Sequence, residues 1–114
     1  MSARFTTRQV GDVTVIDAVG RITLGEGSAL LRETVKNLVV AGNRKLLMNL
    51  GDVSYIDSSG VGELVYSYTT VTSQQGQFKL LNLNKRVEDL LQLTKLYTVF
   101  EVHDDETRAV RSFS

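Results

Sequence analysis

The sequence predicts an α/β fold in which a β-hairpin leads into a mixed, mostly parallel sheet covered by helices. Three observations carry this expectation. Short β-type runs alternate with longer stretches of helical periodicity along the whole chain. The first two runs are separated by Gly11-Asp12, a turn pair that favours an antiparallel hairpin. Strand–helix–strand connections are right-handed almost without exception, so the later units build parallel pairs in one sheet.

The elements follow in order. Phe5 to Val10 and Val13 to Val19 form the hairpin, and Gly20 to Gly27 reads as a loop. Residues 28–41 place Leu30, Leu31, Val35, Leu38 and Val39 on one helical stripe, with Gly42-Asn43 as the stop. Lys45 to Leu50 is a nearly continuous apolar run, as a strand buried on both faces should be. Gly51 to Asp57 reads as loop, and a second helix runs from about Ser58 to Gln75 before Gly76. Phe78 to Leu83 is the next strand. Asn84 can cap a third helix bearing Val87, Leu90, Leu91 and Leu96. Val99 to Val102 gives a last strand, and Asp104-Asp105-Glu106 opens a short helix ending near Arg108 and Arg111. These charges suit the helix dipole.

The chain of 114 residues is the size of one domain, 1–114, and can bury a core without metal or disulfide staples. It has no cysteine, which excludes thiolate metal sites and disulfides and fits a reducing compartment. Thirteen basic and thirteen acidic residues cancel, so no electrostatic footprint for nucleic acid or an anionic membrane is present. Met1-Ser2-Ala3-Arg4-Phe5-Thr6 leads into no apolar signal core, and no apolar run approaches a membrane span. The expected location is the cytoplasm. Along the chain the balance is uneven: no Lys or Arg occurs between Lys45 and Lys79, while Asp52, Asp57 and Glu63 fall there.

In parallel sheets the functional edge lies beyond the carboxyl ends of the strands. That edge should gather Thr23–Ser28, Asp52–Ser59, Leu83–Arg86 and Val102–Asp104. The most distinctive part of it is Asp57-Ser58-Ser59-Gly60-Val61-Gly62. Asp57 or Ser58 would cap the second helix, leaving exposed hydroxyls where unpaired backbone N–H groups welcome an anion. Capping alone explains the same residues.

The block Asp57-Ser58-Ser59-Gly60-Val61-Gly62, set between a buried strand and an apolar helix, resembles the phosphorylation motif of anti-sigma factor antagonists of the STAS family. The hairpin, the Gly20-Arg21-Ile22 turn-off and the closing strand–helix match that pattern too, so the resemblance covers nearly the whole chain. It implies a STAS-type sheet with helices mainly on one face. It implies a protein that binds an anti-sigma factor with serine-kinase activity, freeing a sigma factor. It implies that the kinase uses ATP to phosphorylate Ser58, that this ends the binding, and that a PP2C-type phosphatase reverses it. Asp57, Ser59, Gly60 and Gly62 would then lie at the partner-binding surface with Thr23, Asn84 and Tyr66. No cofactor and no catalytic or metal-binding residue is implied. Many relatives carry an acid where this chain has Thr23. Two other classes fit the same chain: a structural STAS subunit of a larger signalling scaffold, and a nucleotide-binding module.

Enzymatic readings find little support. A serine hydrolase needs a base beside its nucleophile, the only histidine is His103, and no G-x-S-x-G elbow is present. Receiver-type acids are replaced by Val19-Gly20-Arg21, and no Walker sequence exists. Gly25-Glu26-Gly27 resembles the start of a dinucleotide loop, but Leu30 occupies the third glycine position. Lys85 and Arg86 sit in the first turn of a helix, where cations oppose the dipole. They are either solvated charges or placed near an anion.

On the second helix Val61, Leu64, Val65, Tyr68, Val71 and Thr72 share an inner face. Ser59, Gly62, Tyr66, Thr69, Thr70 and Ser73 lie opposite, with Glu63 at the margin. This uncharged face fits a docking surface anchored by Tyr66, or packing under another helix of the same domain.

Overall fold

A computed structural model describes residues 3–114; Met1 and Ser2, the first residues of the segment read for a signal core, lie outside the described residues. Strands β1 (Arg4–Val10), β2 (Val13–Ile22), β3 (Lys45–Ile56), β4 (Gln77–Leu81) and β5 (Val102–His103) form one sheet in that spatial order. β1 and β2 are antiparallel and the remaining pairs parallel. Helices α1 (Glu26–Val40), α2 (Ser58–Ser73), α3 (Lys85–Leu93) and α4 (Glu106–Ser112) connect and flank the strands. The hairpin turn falls at Gly11-Asp12, as expected.

The alternation of strand side chains sorts the core into two layers. Ile16, Ala18, Leu46, Met48, Leu50, Phe78 and Leu80 face α1, α2 and α3, which contribute Leu31, Val35, Val61, Leu64, Val71, Val87 and Leu91. Val13, Val15, Leu47 and Leu81 face the other way, under Ala109 and Phe113 of the α4 segment. Helices thus lie mainly on one face. The smaller layer holds a buried cation. Lys79 donates to the backbone oxygen and hydroxyl of Ser112 at 2.9 Å each and pairs with Glu101 at 3.0 Å. Arg8 adds a second tie, bridging Asp17 and Glu106.

Two expected loops are instead strand. β2 continues through Gly20 to Ile22, and β3 continues through Gly51 to Ile56. Glycine usually weakens a strand. Here the parallel ladder shifts register between Asp17 and Val19 and again between Gly20 and Arg21, then resumes as far as Ile22↔Ile56. Gly20, at φ 101°, supplies a backbone state that side chains disfavour at such an irregularity. The other differences are smaller. Leu96 falls outside α3 in a 3₁₀ turn, Leu96–Thr98, after left-handed Lys95, and the final strand is the two residues Val102–His103.

The extensions matter for function. They carry the ends of β2 and β3 beyond β4, so the two adjoining helix starts stand close together.

Candidate functional site

Asp57 turns the chain from β3 into α2. Its backbone is extended (φ −106°, ψ −175°), the usual state of a capping residue. One carboxylate oxygen accepts from the Gly60 N–H at 2.9 Å and the other from the Leu24 N–H at 3.0 Å on the β2–α1 loop. A single side chain therefore caps one helix and ties down the entrance to another. Burial pushes its carboxyl up, but the donors from Gly60, Leu24 and Ser59 outweigh this and hold it below the ordinary aspartate value.

The two serines that follow have different surroundings. Ser58, the first residue of α2, is exposed, and its hydroxyl has no hydrogen-bond partner among the described residues. Ser59 is half-buried, with its Oγ 2.9 Å from that of Ser28. The Ser28 hydroxyl donates to the Thr23 carbonyl at 2.9 Å, so Ser59 must be the donor in the pair.

Gly60 is required for close approach. A Cβ there would lie 2.4 Å from the Ile22 carbonyl oxygen and 2.5 Å from Ile56 Cγ1. Gly27, at the start of α1, is similarly pressed against the Arg21 carbonyl at 2.7 Å. Gly62 differs: it is exposed, and a Cβ there would have no neighbour within 4 Å.

The third helix start closes the site. Asn84 accepts from the Val87 N–H at 2.9 Å, capping α3, and its amide donates to the Val53 carbonyl of β3. This fixes α3 beside the β3 end and leaves an open groove of about 580 Å³. Tyr55, Ile56, Asp57 and Ser58 form one wall; Lys85, Arg86, Asp89, Leu90 and Leu93 form the other. The Arg86 guanidinium lies 4.2 Å from the Tyr55 ring centroid, and that of Arg21 lies 4.8 Å away.

Three of the four expected edge segments thus come together: the Thr23–Ser28 loop, the end of β3 and the start of α3. Val102–Asp104 does not line the groove; His103 Nε2 lies 2.6 Å from Glu101 and its carbonyl accepts from Asn82. Asp52 also stays out of the site, within β3 opposite Val19. At the start of α2, Asp57 takes the Gly60 N–H, so one of the amides expected to face an anion is occupied. Within the acidic window, Glu63 is paired by Arg32 of α1 at 2.9 Å.

The outer face of α2 is divided between its two readings. Arg32 of α1 lies 4.0 Å from the Tyr66 ring centroid, and Ser67, which the helical wheel left unassigned, is fully buried. That edge is internal packing between α1 and α2. Gly62, Thr69 and Ser73 remain exposed. The stacks on Tyr55 and Tyr66 escaped the sequence because each joins residues distant in the chain, with no local spacing to mark them. The close approach at Gly60 had a visible signal, a glycine one turn into an otherwise well-capped helix.

A five-stranded sheet with a leading hairpin, three helices on one face and a serine exposed at a helix start describes a mixed α/β domain. The chain belongs to the STAS domain family, whose model matches residues 4–109. It is 27% identical over 106 residues to a Thermotoga neapolitana protein provisionally named an anti-sigma factor antagonist, spanning 93% of this chain and 94% of that one. It is 37% identical over 73 residues to the anti-sigma-B factor antagonist of Bacillus subtilis, spanning 64% and 66%. A crystal structure of a Thermotoga maritima protein, also provisionally named an anti-sigma factor antagonist, superposes with a TM-score of 0.88 at 27% identity over 96% of this chain and 93% of that one.

Proposed function

We propose that this protein is an anti-sigma factor antagonist: it binds an anti-sigma factor with serine-kinase activity in the cytoplasm and is released when Ser58 is phosphorylated. The observation that carries the reading is the contrast between the adjacent serines. Ser58 offers an exposed, unpartnered hydroxyl on an open groove, whereas the Ser59 hydroxyl is spent on Ser28. The names borne by the relatives supply the class of partner.

In the transfer, Ser58 Oγ attacks the γ-phosphorus of kinase-bound ATP, ADP leaves, and the hydroxyl proton passes to a base of the kinase. This chain acts as substrate, and a PP2C-type phosphatase restores the hydroxyl. The docking surface comprises Thr23, Asp57, Ser59, Gly62, Tyr66 and Asn84; Gly60, expected there too, is buried and supports the surface from beneath. Phosphorylation adds about −1.5 to −2 charge to that surface, which disfavours docking by repulsion and desolvation.

The test is incubation with the cognate kinase and ATP, read by intact mass and peptide mapping. A single phosphate on Ser58, abolished in Ser58→Ala, is expected. Phosphate on Ser59, Thr23 or Asp57 would refute the site.

A further inference from the structure

We propose that a phosphate on Ser58 is held within this chain by Arg86, assisted by Lys85, across the groove between the β3–α2 junction and α3. The proposal rests on Ser58 as the modified residue and adds how the modified state is held.

The start of α2 offers the phosphate its dipole but no cation. Its capping carboxylate, Asp57, is already bonded to the Gly60 and Leu24 N–H groups and stands next to Ser58 as a like charge. Counter-charge must come from the facing wall. The charged groups that face the groove are Asp57 on the α2 side and Lys85, Arg86 and Asp89 on α3, with Arg21 of β2 beside Tyr55.

Among these, Arg86 has capacity to spare. It has no carboxylate partner among the described residues, and its guanidinium lies over the Tyr55 ring. Such a contact leaves the guanidinium N–H donors in its plane free for phosphate oxygens. Lys85 is partly committed, paired with Asp89 at 3.1 Å. Both cations sit in the first turn of α3, where they oppose its dipole and Glu88 offsets them only in part, so an anion beside them is favoured. Ile56, Leu90 and Leu93 make the groove lining partly apolar, which strengthens a pair formed there relative to open water.

The experiment uses the full chain with phosphoserine installed at position 58 during translation, so no kinase is needed. The phosphate is titrated by phosphorus NMR. A clamp favours the dianion and lowers the second phosphate pKa below its usual value of about 6, whereas Asp57 alone would raise it. In Arg86→Gln the pKa should rise by about 0.5 unit or more, and Lys85→Gln should raise it less. Asp89→Asn, which frees Lys85, should lower it further. Arg86→Lys, which keeps the charge, should recover part of the shift, an outcome that a packing role for the arginine does not give. Identical titration curves for wild type and Arg86→Gln would overturn the clamp. Failure of the kinase to modify Ser58 would instead refute the proposed function, and the installed phosphate would still report on the groove.

Discussion

The two walls of the groove are built on opposite principles. Behind the α2 wall the supporting groups are committed: Asp57 to two backbone amides and Ser59 to Ser28, with Gly60 pressed against the Ile22 carbonyl. On the α3 wall only the base is fixed, by Asn84, and above it Lys85, Arg86, Asp89 and Leu93 extend exposed side chains. Rigid support for a reactive group comes from side chains whose own bonds are satisfied. One wall thus presents Ser58 in a fixed place while the other supplies charge that can adjust. Substitutions on the first wall should therefore be read out in stability, and on the second in binding and electrostatics.

The sharpest way to break this division is at the glycines of α2. Gly60→Val should destabilise the fold by about 3 kcal/mol or more, because backbone and the Ile56 side chain occupy the space its first carbon needs. Gly62→Gln, two residues on, should be neutral or slightly stabilising, since its site is open and glutamine favours helix. It should nevertheless block binding of the anti-sigma factor by bulk. Denaturant midpoints and a binding titration of both variants check the pair. Equal stability losses would erase the distinction between the buried and the exposed edge of the helix.

Next in size is Asp57→Ala, expected to cost about 1–2 kcal/mol through loss of the cap, with the Leu24 amide released as well. The pH dependence has a definite sign. The folded pKa of Asp57 lies below its unfolded value, so its contribution is fully present above the unfolded pKa, near 4 by ordinary aspartate values. It is lost as pH falls through the folded pKa. The stability gap between wild type and Asp57→Ala should therefore shrink on acidification below about pH 4. Urea melts at several pH values test it. A gap that widens toward acid would show that the carboxylate is not the stabilising form.

How much of this was legible beforehand follows from the range of each interaction. The hairpin, the helix periodicities and both the Asp57 and Asn84 caps are local, and their spacing in the sequence was sufficient. The strand extensions leave no local mark, because Gly20 and Gly51 carry the same signature at a register shift as at a turn; the pairing Ile22↔Ile56 distinguishes them. Ser58 and Ser59 are indistinguishable by type. What separates them is Ser28, whose proton is directed to Thr23 by the geometry of the α1 entrance. The charges over Tyr55 and Tyr66 likewise arrive from other elements, and Arg32 pairs Glu63 of the acidic window.

Tyr66 sharpens the comparison from outside the groove, because it belongs partly to each category. Its ring lies under Arg32, yet it borders the exposed residues of α2. Tyr66→Ala should weaken partner binding by somewhat more than ~1 kcal/mol if its ring is a docking anchor. The accompanying loss of the Arg32 stack, exposed to solvent, should lower stability only slightly. Lys36→Ala on α1 is the control and should change affinity little. Normal binding by Tyr66→Ala would confine the docking surface to the loops around Thr23 and Asn84.

The smallest expected effect is at Ser59, and its asymmetry with Ser28 makes it informative. Removing the Ser59 hydroxyl deletes one donor, while Ser28 keeps its own bond to the Thr23 carbonyl and leaves no donor unpaired. Ser59→Ala should therefore cost only about 0.5–1 kcal/mol, within the net range of a single hydrogen bond, and Ser58 should take up phosphate unchanged. Ser28→Ala should cost more, because it leaves the half-buried Ser59 hydroxyl without an acceptor, although Thr23 still receives the Ser28 amide at 3.0 Å. A double-mutant cycle on the two serines measures their coupling directly. If Ser59→Ala proves the costlier change, the proton runs from Ser28 to Ser59 instead. The α2 wall would then be less firmly tied to the Thr23 loop than its geometry indicates.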